Sequence, residues 1–211
     1  MYLKNCSYET IGDKDSQTVC YFFMAERINI EPVEGVRLVM IYPYDWNYCM
    51  TPWKYHDKNM GKTGGGEEFL SWFISEIYDE KYQRQYIGGY SLGGLFALFA
   101  ACEKELFDGV MSVSGSLWYP GALEYFNEKS IGKRIGKIYM SLGDKESLTK
   151  NAEREKVGFN TEKLAEVFGR TKEVFFEYNR GGHFTDISER IAKSILTEIK
   201  CENTRVRGRK D

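Results

Sequence analysis

Short apolar runs alternate with longer amphipathic segments along the chain. The apolar runs, several of them rich in Val, Ile, Tyr or Phe, predict β-strands at 18–25, 36–42, 85–89, 109–114, 137–142 and 173–178. Apolar residues spaced with the helical period predict helices at 67–82, 92–105, 160–168 and 185–199. This alternation predicts an α/β fold with a mostly parallel central sheet and helices on both faces. The first third is richer in strands, which predicts antiparallel N-terminal strands.

Length and composition predict one globular domain. The chain has 211 residues, of which 42% are hydrophobic and 28% are charged, and both proportions are ordinary for a folded domain. We therefore expect a single domain at 1–202. The last segment, 203–211, is mostly polar and carries three arginines and one lysine, so it predicts a disordered basic tail.

The charge balance limits the classes of partner. With 29 Lys and Arg against 31 Asp and Glu, the chain lacks the basic surface that nucleic acid or an anionic membrane attracts, and we expect neither partner. Residues 1–5 contain no apolar stretch typical of a signal peptide, and no apolar run approaches the roughly 18 residues of a membrane span. We expect a cytoplasmic protein whose five cysteines are reduced thiols, because none of them forms a CxxC pair.

A G-x-S-x-G motif gives the strongest chemical signal. Gly89, Ser91 and Gly93 lie between a predicted strand and a predicted helix. That context is typical of a nucleophile elbow, in which the two glycines allow the strand and helix to cross closely. The motif predicts Ser91 as a nucleophile and the N–H of Leu92, at the start of the helix, as an oxyanion donor. The alternative is a glycine-rich packing turn whose serine has no chemical role.

A nucleophilic serine needs a base, and the chain has two histidines. Since this architecture places nucleophile, acid and base in that order, the base must follow Ser91, which selects His183 and leaves His56 as a surface or pocket-rim residue. Two carboxylates after the fifth predicted strand compete for the role of acid. Glu146 stands three residues after the glycine that ends the strand, whereas Asp144 is closer to the strand end. Glu146 is the favoured acid and Asp144 is the alternative. The third interpretation is that neither carboxylate takes part and the site is a Ser–His dyad.

Four short segments resemble one known superfamily. They read Gly-Tyr-Ser-Leu-Gly-Gly at 89–94, Ser-Gly-Ser-Leu-Trp at 114–118, Gly-Asp-Lys-Glu at 143–146 and Gly-Gly-His at 181–183. Together they resemble the α/β-hydrolase superfamily and, more narrowly, its esterase D-like branch, which includes S-formylglutathione hydrolases, feruloyl esterases and siderophore esterases. The resemblance covers roughly residues 36–199.

The resemblance implies further site residues. Relatives take a second oxyanion donor from the loop after an early strand, here the second predicted strand, which implies the backbone N–H of Trp46 beside that of Leu92. It also implies substrate contacts from Tyr90, Trp118 and Trp53. The alternative is that the tryptophans only pack the loops. Only about 22 residues (115–136) separate two core strands where many relatives insert a lid, which implies a small lid or none.

These features predict a serine esterase that hydrolyses a small-molecule ester through an acyl-enzyme, without cofactor or metal. A thioesterase or acyltransferase with the same triad is one alternative, and a non-catalytic binding protein on a hydrolase fold is another. The tripeptide Gly61-Lys62-Thr63 does not indicate a phosphate loop, because the glycine required earlier in that motif is replaced by His56. The sequence does not define the oligomeric state.

Overall fold

The structure, a computed structural model, describes residues 6–206 of the chain. Within that range, seven strands form one sheet: β1 (Cys6–Gly12), β2 (Thr18–Phe23), β3 (Arg37–Pro43), β4 (Arg84–Tyr90), β5 (Gly109–Val113), β6 (Lys137–Gly143) and β7 (Glu173–Asn179). The helices of the same range are α1 (Trp46–Met50), α2 (Gly66–Glu76), α3 (Leu92–Glu103), α4 (Ala122–Glu128), α5 (Val157–Gly169) and α6 (Ile187–Val206).

The strand order across the sheet is β1-β3-β2-β4-β5-β6-β7. β1 runs antiparallel to β3, and the other neighbouring pairs are parallel. The predicted mostly parallel sheet is confirmed, and the antiparallel N-terminal start is confined to β1. The apolar pattern does not predict β1, because this edge strand alternates half-exposed with exposed residues and has few large apolar side chains.

Alternate side chains of the parallel strands enter two cores on opposite faces of the sheet. In β2, Val19, Tyr21 and Phe23 pack on the face that carries α2, α3, α4 and α5. Cys20 and Phe22 point to the other face, which α6 covers with a stripe of isoleucines. Helices on both faces are therefore confirmed, and the near-continuous burial of β2, β4 and β6 is typical of parallel strands covered on both sides.

Two helices end six or more residues away from their predicted ends. α2 ends at Glu76 because the N–H groups of Ile77 and Tyr78 both donate to the carbonyl of Phe73, which closes the helix. α6 continues to Val206 and so includes 203–206 of the predicted tail, whereas 207–211 lie outside the described residues. No helix within residues 6–206 has both the length and the apolar character needed to cross a membrane.

Two short helices occupy segments that show no helical pattern. α1 lies in the predicted loop after β3 and starts where the Asp45 side chain accepts the N–H of Tyr48. α4 lies between β5 and β6, in the segment where a lid was in question. With five and seven residues, neither helix is long enough to display a period in the sequence.

The carboxyl ends of the parallel strands meet at one edge of the sheet. Ser91 follows β4, Ser114 follows β5, Asp144 follows β6 and Arg180 follows β7. Polar and ionisable residues from four separate parts of the chain are therefore brought to the same edge, where parallel α/β sheets carry their binding sites.

Phe23 links the sheet to the helical layer. Its ring makes edge contacts with Phe69, Phe73 and Phe96, at centroid distances of 6.0, 5.4 and 4.9 Å. We expect Phe23→Ala to lower the free energy of unfolding by about 3–5 kcal/mol, because the buried ring leaves a cavity. The matched control is Phe159→Ala on α5, where the ring is 59% exposed and the expected loss is below about 0.5 kcal/mol. Urea denaturation measures both, and equal losses would contradict this account of the core.

Candidate active site

Ser91 occupies a strained turn between β4 and α3. Its backbone has φ 59° and ψ −123°, a positive-φ conformation that residues other than glycine rarely adopt. A Cβ at Gly89 would overlap the backbone of Gly93, and a Cβ at Gly93 would lie 2.5 Å from the carbonyl oxygen of Phe23. The predicted sharp strand-to-helix turn is confirmed, and the two glycines are needed because strand and helix cross without room for a side chain.

The structure brings Ser91, His183 and Glu146 into one continuous chain of hydrogen bonds. The Oγ of Ser91 lies 3.0 Å from Nε2 of His183, and Nδ1 of His183 lies 2.6 Å from Oε2 of Glu146. A carboxylate acceptor at Nδ1 favours the tautomer with its proton on that nitrogen. The lone pair of Nε2 then faces the Ser91 hydroxyl, so this geometry lets the imidazole accept its proton.

Glu146, one of the two candidate acids, is buried and fully hydrogen-bonded. Its side chain is 4% exposed. Its Oε1 accepts the N–H of Gly143 at 2.7 Å and the hydroxyl of Ser114 at 2.8 Å. Burial alone would raise the pKa of Glu146, but the hydrogen bond and charge of His183, together with those two donors, hold the pKa below its ordinary value. The group is therefore ionised near neutral pH.

Asp144, the other candidate acid, is exposed and does not contact the histidine ring. Its Oδ1 accepts the backbone N–H of Gly181 at 2.8 Å, and its own N–H donates to the carbonyl of Asn179. Asp144 therefore fastens the loop that carries His183 to the end of β6. The structure separates the two carboxylates by position: Glu146 contacts the imidazole, and Asp144 holds the loop.

Arg190 is a site residue that the sequence analysis missed. Its side chain, on α6, is 2% exposed, and its Nη1 lies 3.4 Å from Oε1 of Glu146. The spacing contains a signal for it, because position 190 falls three residues after Ile187 and one before Ile191, on the stripe that faces the sheet. A charged residue on a buried helical stripe indicates a buried ionic partner.

Tyr90 and Ser116 also lie beside the histidine and the serine. The hydroxyl of Tyr90 donates to the carbonyl of His183 at 2.6 Å, so this predicted substrate contact also holds the histidine loop. The Oγ of Ser116 lies 3.2 Å from the Oγ of Ser91, and its N–H donates to the carbonyl of Ser91. Ser116 belongs to the 114–118 segment, but the sequence analysis did not single it out.

The three tryptophans that the resemblance places at the site occupy different positions in the structure. Trp46 and Trp118 line the cleft above Ser91. Trp53 is not among its lining residues: its indole Nε1 donates to the carbonyl of Pro120 at 2.7 Å, and its ring packs against aromatic neighbours. Trp53 therefore packs the loop in this structure and does not reach the cleft, where the resemblance places a substrate contact. His56 is exposed and lies outside the lining.

The cleft has a volume of about 560 Å³, which is within the range of small-molecule sites. Its apolar lining includes Met24, Ile28, Met60, Val157 and Ile187. Its charged lining residues besides Glu146 are Glu26, Lys145 and Arg154, and the guanidinium of Arg154 lies 5.2 Å from the centroid of the Trp118 ring. Among the described residues, no group of three or more His, Cys, Asp or Glu is arranged to hold a metal ion.

Sequence comparison gives one short likeness. The chain is 35% identical over 65 residues to a protein of Bacillus subtilis (strain 168) described as uncharacterized protein YbbA. The matched segment amounts to 30% of this chain and 26% of that protein, so the likeness spans well under two thirds of the relative. No protein-family model matches the chain.

Solved structures give a likeness over nearly the whole chain. An IroE-like serine hydrolase from Shewanella oneidensis has a TM-score of 0.66 at 14% identity, with 92% of this chain and 79% of that chain covered. The siderophore hydrolase EstA from Aspergillus nidulans has a TM-score of 0.62 at 19% identity, with 92% of this chain and 93% of that chain covered. The enterobactin esterase FES from Shigella flexneri has a TM-score of 0.63 at 18% identity, with 96% of this chain and 57% of that chain covered.

The chain has the α/β-hydrolase fold. The predicted fold class is thereby confirmed. In this fold the nucleophile stands at the turn after the central strand, which is where Ser91 lies. The order of Ser91, Glu146 and His183 along the chain also matches the order that the fold uses for nucleophile, acid and base.

The strand order shows which segment follows the strand beside β4, at the sheet edge where a second oxyanion donor is expected. β2, not β3, is the neighbour of β4, and Phe23 at its end lies opposite Gly89. The segment that follows β2 therefore lies beside Ser91, whereas Trp46 follows β3, one strand farther away. Within that segment the N–H of Met24 donates to the carbonyl of Ile41. Ala25 comes next and lines the cleft, and the sequence analysis missed it.

The close crossing at the elbow gives a direct test. We expect Gly89→Ala to lower the free energy of unfolding by more than about 2 kcal/mol, because its Cβ must displace the backbone of α3. Gly169→Ala at the end of α5 is the matched control, since nothing lies within 4 Å of its Cβ. That control should be neutral or slightly stabilising. Urea denaturation measures both, and a stable Gly89→Ala protein would show that the crossing has room to spare.

Proposed function

We propose that the chain is a carboxylic ester hydrolase in which Ser91 is the nucleophile, His183 the general base and Glu146 the acid. The observation that carries the proposal is the pair of hydrogen bonds, at 3.0 and 2.6 Å, that joins these three side chains beneath an open cleft. Support also comes from structural neighbours that are described as siderophore hydrolase, enterobactin esterase and serine hydrolase.

The proposed reaction proceeds in two steps. In the first, Nε2 of His183 takes the Ser91 proton while Oγ attacks the ester carbonyl carbon, and the imidazolium then protonates the departing alkoxide, which leaves as the alcohol. In the second, His183 takes a proton from water as the water oxygen attacks the acyl-serine; the imidazolium then returns a proton to Oγ of Ser91 as the bond to the acyl group breaks, and the acid product leaves. Glu146 fixes the tautomer of His183 and stabilises the imidazolium in both steps. This chemistry requires no cofactor.

Two backbone N–H groups are proposed to hold the oxyanion. Leu92 is the first residue of α3, so its N–H lacks an acceptor in the preceding turn. The second donor is the N–H of Ala25, which the strand order favours over that of Trp46. Preorganised donors of this kind are each worth about 10²–10³ in rate because they bind the charge that develops in the transition state.

The substrate is proposed to be a small-molecule ester with a short acyl group. The cleft is open, and the segment between β5 and β6 holds the short α4 rather than an extended cover for an acyl chain. A long chain would therefore remain partly in water and gain little from binding.

The acyl-length preference is tested with p-nitrophenyl esters. We expect acetate and butyrate to exceed palmitate by at least about tenfold in kcat/KM, because added methylenes find little surface to bury. The esters are compared at concentrations below their aggregation limits, with release of p-nitrophenol as the readout. A preference for palmitate would contradict the short-acyl proposal without affecting the triad.

The triad is tested by substitution. We expect Ser91→Ala and His183→Ala to lower kcat on p-nitrophenyl acetate by at least about 10⁴-fold, with Ser91→Ala also abolishing labelling by a fluorophosphonate. Glu146→Gln should cost about 10³–10⁴-fold, because a neutral amide cannot fix the tautomer or stabilise the imidazolium.

The control for Glu146→Gln is Asp144→Asn, an equally conservative change in the other carboxylate. It should cost less than about tenfold in kcat, since Asp144 holds the loop without touching the ring. A larger loss from Asp144→Asn than from Glu146→Gln would reverse the assignment of the acid. A folded wild-type protein that neither labels nor turns over oxygen esters or thioesters would favour the binding-protein alternative.

A further inference from the structure

Arg190 reaches from α6 into the junction of the strands that supply the proposed triad. Its Nη1 lies 3.1 Å from the Oγ of Ser114, 3.4 Å from the hydroxyl of Tyr90 and 3.4 Å from Oε1 of Glu146. Its Nη2 donates to the carbonyl of Arg180 at 3.1 Å. The guanidinium therefore touches groups that follow or end β4, β5, β6 and β7.

Arg190 and Glu146 are both buried, so the charge of the guanidinium acts strongly on the carboxylate. The side chains of Arg190 and Glu146 are 2% and 4% exposed, so water cannot screen either charge effectively. Glu146 faces His183 through one oxygen and Arg190 through the other. Whenever the imidazole is neutral, as a general base must be, the guanidinium is the cation that balances the buried carboxylate.

We propose that Arg190 is a positioning residue that keeps His183 deprotonated, and so able to accept the Ser91 proton, by partly neutralising Glu146. The proposal rests on the assignment of His183 as base. Glu146 without a compensating cation would attract a proton to His183 strongly and hold the imidazole in its charged form. With the guanidinium on its far oxygen, Glu146 still orients the ring but stabilises the imidazolium less.

The sign of the effect follows from the charges. Removing the Arg190 charge leaves the negative field of Glu146 unopposed, which favours the protonated imidazole and raises the pKa of His183. A base with a raised pKa is occupied by a proton at mildly acidic pH. The acid limb of the kcat/KM profile must then move to higher pH.

Other ionisable groups stand around His183, Glu146 and Arg190 and stay unchanged in the test. Tyr139 on β6 donates to Glu177 on β7, which pairs with Lys193 on α6. The remaining ones come from β4, the loops after β2, β6 and β7, and the far wall of the cleft: Tyr90, Glu26, Asp144, Lys145, Arg180, Asp186 and Arg154. Because all of them are present in both proteins, the difference between wild type and an Arg190 variant reports the guanidinium.

The test is an NMR titration of the imidazole protons in the full-length protein. The chain has two histidines, and the exposed His56 serves as an internal reference whose signals His56→Gln assigns. We expect Arg190→Met and Arg190→Gln to raise the pKa of His183 by about one pH unit and to leave that of His56 unchanged. Arg190→Gln keeps N–H donors in place and covers the case in which the methionine variant fails to fold.

Two further variants separate charge from structure. Arg190→Lys keeps the positive charge but loses the forked donors, so the pKa of His183 should stay near the wild-type value while kcat falls. Lys193→Met removes a cation from the same helix, where Lys193 pairs with Glu177 at a half-exposed position, and should leave the His183 titration unchanged.

Kinetics then distinguish the failure of this proposal from failure of the proposed function. With p-nitrophenyl acetate, the acid limb of kcat/KM should move upward in the neutral variants in parallel with the NMR titration. An unchanged His183 pKa, with activity reduced equally at every pH, would overturn the proposal and leave Arg190 a purely structural residue. A wild-type protein without turnover, whatever its titration, would instead overturn the assignment as an esterase.

Discussion

The close crossing of β4 and α3 at Gly89 and Gly93 is the constraint on which the rest of the site depends. It forces Ser91 into a positive-φ conformation, which lifts the hydroxyl out of the sheet edge and directs it toward His183. It also places the N–H of Leu92, at the start of α3, directly after Ser91, where the proposed oxyanion would form. The surrounding core, with Phe23 beneath the crossing, stabilises a turn that would cost free energy in isolation.

Much of this arrangement was predictable because it depends on local patterns. The elbow can be recognised from a serine flanked by two glycines between a predicted strand and a predicted helix. The chain has two histidines, so there are few candidates for the base. The choice between Glu146 and Asp144 was harder, because both stand just after the same strand. What separates them is the turn of the chain after Gly143, which points Glu146 at the ring and Asp144 at a backbone N–H.

The features that escaped prediction depend on how distant segments meet. No local pattern reveals that β2 rather than β3 borders β4, so the sequence pointed to Trp46 and gave no reason to consider the segment that contains Ala25. Trp53 was expected at the cleft because a resemblance in short motifs does not distinguish an aromatic side chain that packs a loop from one that binds a ligand. The isoleucines of α6 were enough to interpret that helix as a packing element, so Arg190 was not singled out. The carboxylate that Arg190 contacts, that of Glu146, lies far away in the sequence.

The burial of Arg190 and Glu146 also determines how the site responds to dissolved ions. Salt at physiological concentration screens exposed charges over about 8 Å but acts far less on pairs that water does not reach. Lys145 and Arg154, which line the cleft from exposed positions, meet that ionic atmosphere directly. Changes in ionic strength therefore act mainly on the approach of charged molecules to the cleft and far less on the attraction between Arg190 and Glu146. The fold thus shields this buried ion pair from the ionic conditions that the open cleft meets.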